Sequence, residues 1–372
     1  MKKVLFVFGT RPEAIKMAPV IKAFVADNGF EVKVCVTAQH RQMLDQVLDF
    51  FEINPEFDLD LMKENQNLYQ LSADVIVELK PVFESYKPDY VFVHGDTTTS
   101  TMAALAAYYA GAKVCHVEAG LRTYNKQQPF PEEINRQLTA RIADLHFAPT
   151  QTSRANLLNE HIAADSIFVT GNTVIDALHF AKTKVETIND EEIETLKQLI
   201  DPGKRLILVT GHRRENFGEG FVNICNALQQ ISAYENVEIV YPVHFNPNVY
   251  DVVYELLAGK SNIKLIKPLS YPAFVWLMKR AYLILTDSGG IQEEAPALGI
   301  PVMVMRNSTE RPEALEAGTV ILVGTDKDNI IANTHKLLTD KALYEKMSIA
   351  ANPYGDGTAS VKILEHLKAY SK

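Results

Sequence analysis

Three carboxylates stand where acid–base chemistry could use them. Asp96 and Glu118 each follow directly on a short apolar run, in YVFVHGDTTTS and KVCHVEAGLRT, and Glu132 opens the helix-like part of PFPEEINRQ. Acids at neighbouring strand ends can have their proton affinities pushed apart, which turns one side-chain type into both donor and acceptor. Each also has a plainer reading. Asp96 could cap the helix that TTTSTMAA begins, although Thr97 to Thr99 could serve instead. Glu118 sits in a turn before a glycine, where a buried acid needs a partner. A proline at the first helical position followed by acids suits any helix N-terminus, so Glu132 and Glu133 could simply complement its dipole. Glu132 and Arg136 are four apart and share one helix face, whereas Glu133 shares its own with Gln137.

Cationic groups follow other apolar runs. GTRPEAIK offers Arg11 and Lys16, and GHRREN offers His212, Arg213 and Arg214. Such groups could clamp a diphosphate, or they could form inter-domain ion pairs. In DSGGIQEEAPALG a strand ends at Thr286, Gly289 and Gly290 turn the chain, and a helix starts near Ile291. Exposed N–H groups there, with the Ser288 hydroxyl, would make an anion site, and Glu294 could hold ribose hydroxyls. The alternative is an ordinary tight strand–helix turn. Pro296 should kink or shorten that helix. The pattern is neither GxGxxG nor GxxxxGK[ST], which disfavours a dinucleotide fingerprint or a P-loop. His94, His116 and His244 lie in or beside apolar runs and read as hydrogen-bonded core or rim histidines. With no HExxH, HxxxH or CxxC spacing, no metal site is expected.

These residues must be positioned by the elements between them. Val-, Ile- and Phe-rich runs (KVLFVF, EVKVCVTA, YVFVHGD, KVCHVEAG, LHFAPT, IFVTGN) alternate with helix-length segments, the pattern of β–α units on a parallel sheet. A polar stretch from Asp176 to Arg205 reads as a helix stopped by Pro202-Gly203. The alternation then restarts with LILVTGHRRE, VEIVYPVH, IKLIKPL, YLILTDSGG, PVMVM and TVILVG. The expected fold class is α/β: two doubly wound, Rossmann-like domains, 1–172 and 173–357, facing across a cleft. In such sheets ligands bind beyond the carboxyl ends of the strands, which is where all the groups above fall.

Bulk properties narrow the class. With 372 residues, 47% hydrophobic and 22% charged, the chain has the profile of a globular protein of two domains. Forty-six acids against 37 bases, net −9, speak against a nucleic-acid partner, since no Lys/Arg block is present to neutralise phosphates. A locally positive pocket for small anions is still compatible with that charge. Apolar runs stop well short of membrane-spanning length, and the N-terminal run Val4–Phe8 reads as a first strand rather than a signal peptide. Cys35, Cys115 and Cys225 read as buried thiols of a reducing cytoplasm.

Taken together, GTRPEAIKMAPV, TAQHRQMLDQVL, HGDTTTS, HVEAGLRT, PFPEEINRQLT, GNTVIDAL, GHRRENFGEG, DSGGIQEEAPALG, TERPEALEAGT and NPYGDG resemble the non-hydrolysing UDP-N-acetylglucosamine 2-epimerases of bacteria. The resemblance runs in order from the first strand to about Gly357. It implies the GT-B fold, with a C-terminal helix, 358–372, crossing back onto the first domain. It implies interconversion of UDP-GlcNAc and UDP-ManNAc by anti elimination of UDP to 2-acetamidoglucal and re-addition, without a cofactor, in a cytoplasmic homodimer that feeds surface-polysaccharide synthesis. By the same resemblance, Asp96, Glu118 and Glu132 are the catalytic carboxylates, and Arg136 and His212 their basic partners. Arg11, Lys16, Ser288, Gly289, Gly290, Glu294 and Arg311 match ligand-contacting positions, and Phe274 with the backbone near Leu269 matches the uridine site. Gln39, Gln42, Gln66, Arg213 and His244 match a second, activating UDP-GlcNAc pocket of some members, although Asn65 stands where several of those have an arginine.

Other readings stay open on the sequence. A GT-B glycosyltransferase would share the nucleotide half but needs an acceptor groove. A hydrolysing epimerase would release ManNAc and UDP. A sensor would keep the fold without turnover.

Overall fold

The computed structural model describes residues 1–37, 41–61 and 66–371, and of residues 41–43 the backbone alone. Gln39 and the side chain of Gln42 lie outside the described residues. The chain divides into two compact units, Met1–His179 with Tyr354–Lys372, and Phe180–Pro353.

Seven strands make the sheet of the first unit: β1 (Lys2–Phe8), β2 (Phe30–Val36), β3 (Phe57–Asp58), β4 (Tyr90–His94), β5 (Lys113–Val117), β6 (Leu145–Ala148) and β7 (Ile167–Val169). Their order is β3-β2-β1-β4-β5-β6-β7, every pair parallel. Val4 to Phe8 of β1 and Val91 to Val93 of β4 are fully buried, because helices cover both faces of a parallel sheet and leave no polar alternation. On one face Phe6 stacks on Phe92 at 4.7 Å, with Phe24 of the helix Arg11–Val25 edge-on to both. On the other, Leu5, Val7, Val91 and Val93 meet the helix Leu68–Tyr86 and the alanines of the helix Thr98–Tyr109.

The second unit repeats the design with β8 (Arg205–Thr210), β9 (Val237–Pro242), β10 (Ile263–Ile266), β11 (Leu283–Thr286), β12 (Val302–Val304) and β13 (Val320–Leu322). The order is β10-β9-β8-β11-β12-β13, again all parallel. In each sheet the winding reverses at one place, between β1 and β4 and between β8 and β11. Crevices at such reversals are where open α/β sheets bind ligands.

All twelve strand-like runs form strands; β3, two residues long, carried no apolar signal. The polar stretch expected as one helix is two, Thr173–Lys184 and Glu191–Leu199. Asp190 starts the second by accepting the Ile193 N–H at 3.0 Å. The helix Gly289–Ala297 ends one residue past Pro296, as a proline with no N–H dictates. Among the described residues no helix is long and apolar enough to cross a membrane.

The C-terminal helix Ala359–Tyr370 belongs to the first unit. Its N-terminus is held by Asp176, buried at 6% exposure, which accepts from Ala359 N–H (3.2 Å), Ser360 N–H (2.8 Å) and the Ser360 hydroxyl (2.6 Å). Farther along, Lys368 pairs with Asp27 at 2.7 Å and His366 stacks on Phe168. The Lys368 ammonium and the Gly29 N–H lower the Asp27 carboxyl, but that pair is solvent-screened and adds little stability. Asp176→Ala should strand two buried N–H groups and cost about 2 kcal/mol or more, whereas Lys368→Ala should leave stability almost unchanged. Urea denaturation, with hydrogen exchange of residues 359–370, checks both. Equal effects would contradict the assignment of the anchor to Asp176.

Candidate active site

In the first unit the groups collect where the sheet reverses. Glu13, 2% exposed in the first turn of the helix Arg11–Val25, is the hub. Its Oε2 accepts from Gly9 N–H (3.1 Å), Thr10 N–H (2.8 Å) and the Thr10 hydroxyl (2.8 Å), all just past β1. Its Oε1 accepts from the Thr97 (2.7 Å) and Ser100 (2.9 Å) hydroxyls, just past β4. One carboxylate thus ties both turns together. Gly9 is constrained as well, since a Cβ there would fall 2.1 Å from Thr37 Oγ1.

That tie fixes Asp96. Thr97, not Asp96, caps the helix Thr98–Tyr109 by accepting the Ser100 N–H at 3.0 Å, so the Asp96 carboxylate is released for other work. It pairs with Arg136, while Asn135 Nδ2 donates to the Asp96 carbonyl at 3.0 Å. The first turn of the helix Glu132–Ile142 therefore packs on the Asp96 turn.

The same helix corrects the face assignment made from spacing. Arg136 pairs with Asp96 and with Glu133 (3.5 Å), not with Glu132. Glu133 is fully buried and accepts from Thr123 N–H (3.0 Å), Tyr124 N–H (3.0 Å) and Gln137 Nε2 (2.8 Å). Burial opposes its charge, but these bonds and Arg136 hold its carboxyl below the usual range. It is the anchor of the 123–131 loop rather than a dipole-complementing surface acid. Pro131 is the residue preceding the helix rather than its first. Glu132 retains a buried Oε2 with no hydrogen-bond partner, an uncommon state for a carboxylate oxygen.

Glu118 follows β5 with φ +60°, a left-handed backbone that costs a non-glycine residue of order 1 kcal/mol and is commonest at functional sites. Lys16 pairs with its Oε2, Asn172 Nδ2 donates to the same oxygen at 3.0 Å, and His94 Nε2 lies 3.6 Å away. Burial works against its charge; the Lys16 ammonium, then His94, prevail and hold it well below the usual carboxylate range. Its other oxygen faces Gly95, where a Cβ would approach to 4.0 Å. Arg11 occupies the first helical position, half-buried. Gln66 is also in this unit and donates to the Leu61 carbonyl at 2.9 Å. A groove of about 640 Å³ lined by Val77, Phe83, Lys87, Pro88 and Tyr109 opens at the opposite, amino-terminal edge of β4, away from all these groups.

The second unit has its own hub. Asp287, fully buried at the end of β11, accepts through Oδ2 from His212 N–H (2.9 Å), Arg213 N–H (2.8 Å) and Asn216 Nδ2 (3.3 Å). These donors all follow β8, so the carboxylate again ties the two turns of the reversal. Ser288 precedes the helix Gly289–Ala297. Gly289 is packed so that a Cβ would lie 3.1 Å from Glu310 Oε1, and Gly290 is open. Arg213 reaches Glu310 at 3.5 Å, and His244 stacks on His212 with centroids 5.5 Å apart. Arg311 pairs with the buried Glu293, one residue before Glu294. Phe274 is half-buried in the first turn of the helix Tyr271–Arg280, which Leu269 precedes by two residues.

Within the units, then, Lys16 meets Glu118, Arg136 meets Asp96, Arg213 meets Glu310, and His244 meets His212. Reasoning from sequence missed Glu13, Glu133 and Asp287 as organisers. The signal for Glu13 was its spacing three residues after Thr10 at a helix start. For Asp287 it was an acid closing a buried strand.

Two doubly wound, all-parallel units with ionisable groups at their sheet reversals are the α/β architecture of the GT-B type. Residues 22–368 match the family model described as UDP-N-acetylglucosamine 2-epimerase. The chain is 56% identical to the UDP-N-acetylglucosamine 2-epimerase of Salmonella typhimurium, over 99% of both chains. Its fold matches that of the Neisseria meningitidis UDP-GlcNAc 2-epimerase solved with UDP-GlcNAc (TM-score 0.91, 51% identity, 99% of this chain and 100% of that one). It likewise matches an S. aureus protein solved with UDP (TM-score 0.87, 46% identity, 100% and 97%). The chain belongs to the UDP-N-acetylglucosamine 2-epimerase family.

The first unit should be acid-labile. Burial pushes His116 down to about 3 and His146 down to about 4. His116 donates to the Gly95 carbonyl at 2.7 Å, directly behind Asp96. Between pH 6.5 and these values the unfolded chain binds the protons first, so stability falls as pH falls, by about 1.4 kcal/mol per pH unit for each histidine. The lowered Glu118 carboxyl acts in the same direction at lower pH. Urea titrations followed by far-UV circular dichroism should show the slope below pH 6.5, and His116→Gln should remove one proton's share. An unchanged slope would mean that His116 titrates normally.

Proposed function

We propose that this chain catalyses the reversible, non-hydrolysing C2 epimerisation of UDP-GlcNAc to UDP-ManNAc. The reading is supported by its full-length similarity to relatives solved with UDP-GlcNAc and UDP, together with Asp96 and Glu118, which follow the neighbouring strands β4 and β5 and are each paired with a cation, and Glu132, which opens the helix that carries the partner of Asp96. In the proposed reaction the C1–O bond to UDP breaks with its electron pair on the departing phosphate, and C1 gains oxocarbenium character. That makes the C2 proton acidic enough for a carboxylate to take, giving 2-acetamidoglucal. Protonation of C2 on the other face, with return of UDP to C1, completes the epimer.

The roles we assign follow each group's surroundings. Glu118, held ionised by Lys16, suits stabilising positive charge near C1 or holding sugar hydroxyls. Asp96, clamped by Arg136 and Asn135, is a fixed acceptor. Glu132, with its unpartnered oxygen, is the best placed of the three to exchange a proton. Arg11, Lys16, Arg311 and the N–H groups at Ser288, Gly289 and Gly290 would stabilise UDP as it leaves. Phe274 and the backbone near Leu269 would take the uridine, and Glu294 the ribose. Exclusion of water would keep the glycal from hydrolysis. All three cysteines are buried and unpaired, in keeping with a cytoplasmic site of action.

The test is incubation with UDP-GlcNAc alone in D2O, followed by NMR. Epimerisation should give UDP-ManNAc with deuterium at C2 and no net sugar release. Free ManNAc would indicate a hydrolysing enzyme, and intact substrate without C2 exchange would indicate a transferase or a sensor.

A further inference from the structure

His212 is offered by a turn whose geometry depends on Asp287, but the two residues are related by more than backbone bonds. Asp287 Oδ2 is saturated by three donors, whereas Oδ1 is buried and has no hydrogen-bond partner. A charged oxygen buried without a donor is costly and rare. His212 Nδ1 lies 3.7 Å from that oxygen. A shift of roughly 0.8 Å brings the pair to hydrogen-bond length, and catalytic hydrogen bonds commonly tighten when ligand arrives.

The other groups facing the ring are His244 and Arg213. His244 Nδ1 accepts the Asn246 N–H at 3.0 Å, which leaves the proton of a neutral His244 on Nε2. Burial first, then His244 and Arg213, oppose positive charge on His212; Asp287 favours it but does not prevail, and the ring titrates below its ordinary value. At neutral pH it is therefore uncharged, and which nitrogen holds the proton becomes the chemical question.

We propose that Asp287 is a positioning residue for His212: it accepts a hydrogen bond from His212 Nδ1–H and leaves Nε2 unprotonated, as the acceptor offered to the ligand. The ring can then accept a hydrogen bond or a proton from a bound hydroxyl, with Asp287 balancing the imidazolium that results. An aspartate is required rather than an asparagine. The amide oxygen of an asparagine could still accept the His212 and Arg213 N–H groups, but its NH2 would face Nδ1 and drive the ring proton to Nε2. The kinetic part of this inference rests on the epimerase reading; the tautomer does not.

The experiment uses the full-length protein with histidines labelled with nitrogen-15 in the ring, at pH 7.5, with and without saturating UDP. His212→Gln assigns the resonances. The expected result is a neutral His212 protonated at Nδ1 in the UDP complex. In Asp287→Asn the proton should move to Nε2, and kcat should drop on the order of 10²–10³-fold with KM changed by less than about threefold. Nε2 protonation in the wild type with UDP bound would overturn the proposal, and so would Asp287→Asn turning over at the wild-type rate. If Asp287→Asn does not fold, the wild-type spectrum decides alone. If the wild type does not epimerise, the functional reading fails, while the tautomer still judges the pairing.

Discussion

A buried carboxylate closes the reversal of each sheet, and the placement of the reactive groups follows from it. Where a parallel strand ends, its last N–H groups lose their ladder partners and turn inward, where water cannot satisfy them. Glu13 resolves this past β1, accepting the Gly9 and Thr10 N–H groups while its other oxygen takes the Thr97 and Ser100 hydroxyls past β4, and Asp287, at the end of β11, does so for the His212 and Arg213 N–H groups past β8. The two reach the same solution from opposite sides. Glu13 comes from the helix after the first strand of its unit, Asp287 from the end of the strand across the reversal. A single anionic side chain can accept several donors at once, which no neutral group of that size matches. The consequence is that the residues beside those turns, Asp96 in one unit and His212 in the other, are aimed by rigid backbone rather than by their own side-chain preferences.

The charges around these hubs are paired within their units: Lys16 with Glu118, Arg136 with Asp96, Arg311 with Glu293. On the proposed function, pairing of this kind lets an acidic chain hold cations ready for a diphosphate. Each cation is oriented by a carboxylate before ligand arrives, so little side-chain freedom is lost on binding. It also separates the three candidate carboxylates chemically. Glu118 and Asp96 are neutralised by direct partners, whereas Glu132 carries a buried oxygen with none. Environment alone therefore differentiates three similar acids.

Much of the fold was legible because strands buried on both faces are continuous apolar runs, and twelve of them stood between helix-length segments. The candidate site was read as motifs at the ends of those runs, and family resemblance implied roles for them. What stayed hidden was partnership across the sheet. Spacing assigned Arg136 to Glu132, but tertiary packing gave it to Asp96, forty residues away, and buried Glu133 under a loop. Local pattern constrains neighbours three or four residues apart; it carries no information on which of two adjacent acids faces the interior. Glu13 and Asp287 escaped for a related reason. Each resembles an ordinary helix-start or strand-end acid until the donors around it are known.

On the proposed route, the C1–O bond to UDP breaks and re-forms while the sugar stays bound. The most direct measurement is positional isotope exchange in UDP-GlcNAc carrying oxygen-18 in the bridge between C1 and the β-phosphorus, read by phosphorus NMR. Elimination and return of UDP predict that the label appears in the non-bridging positions of the β-phosphate as UDP-ManNAc forms. UDP-ManNAc accumulating with the label still confined to the bridge would contradict the claim, because C2 would then have inverted without departure of UDP.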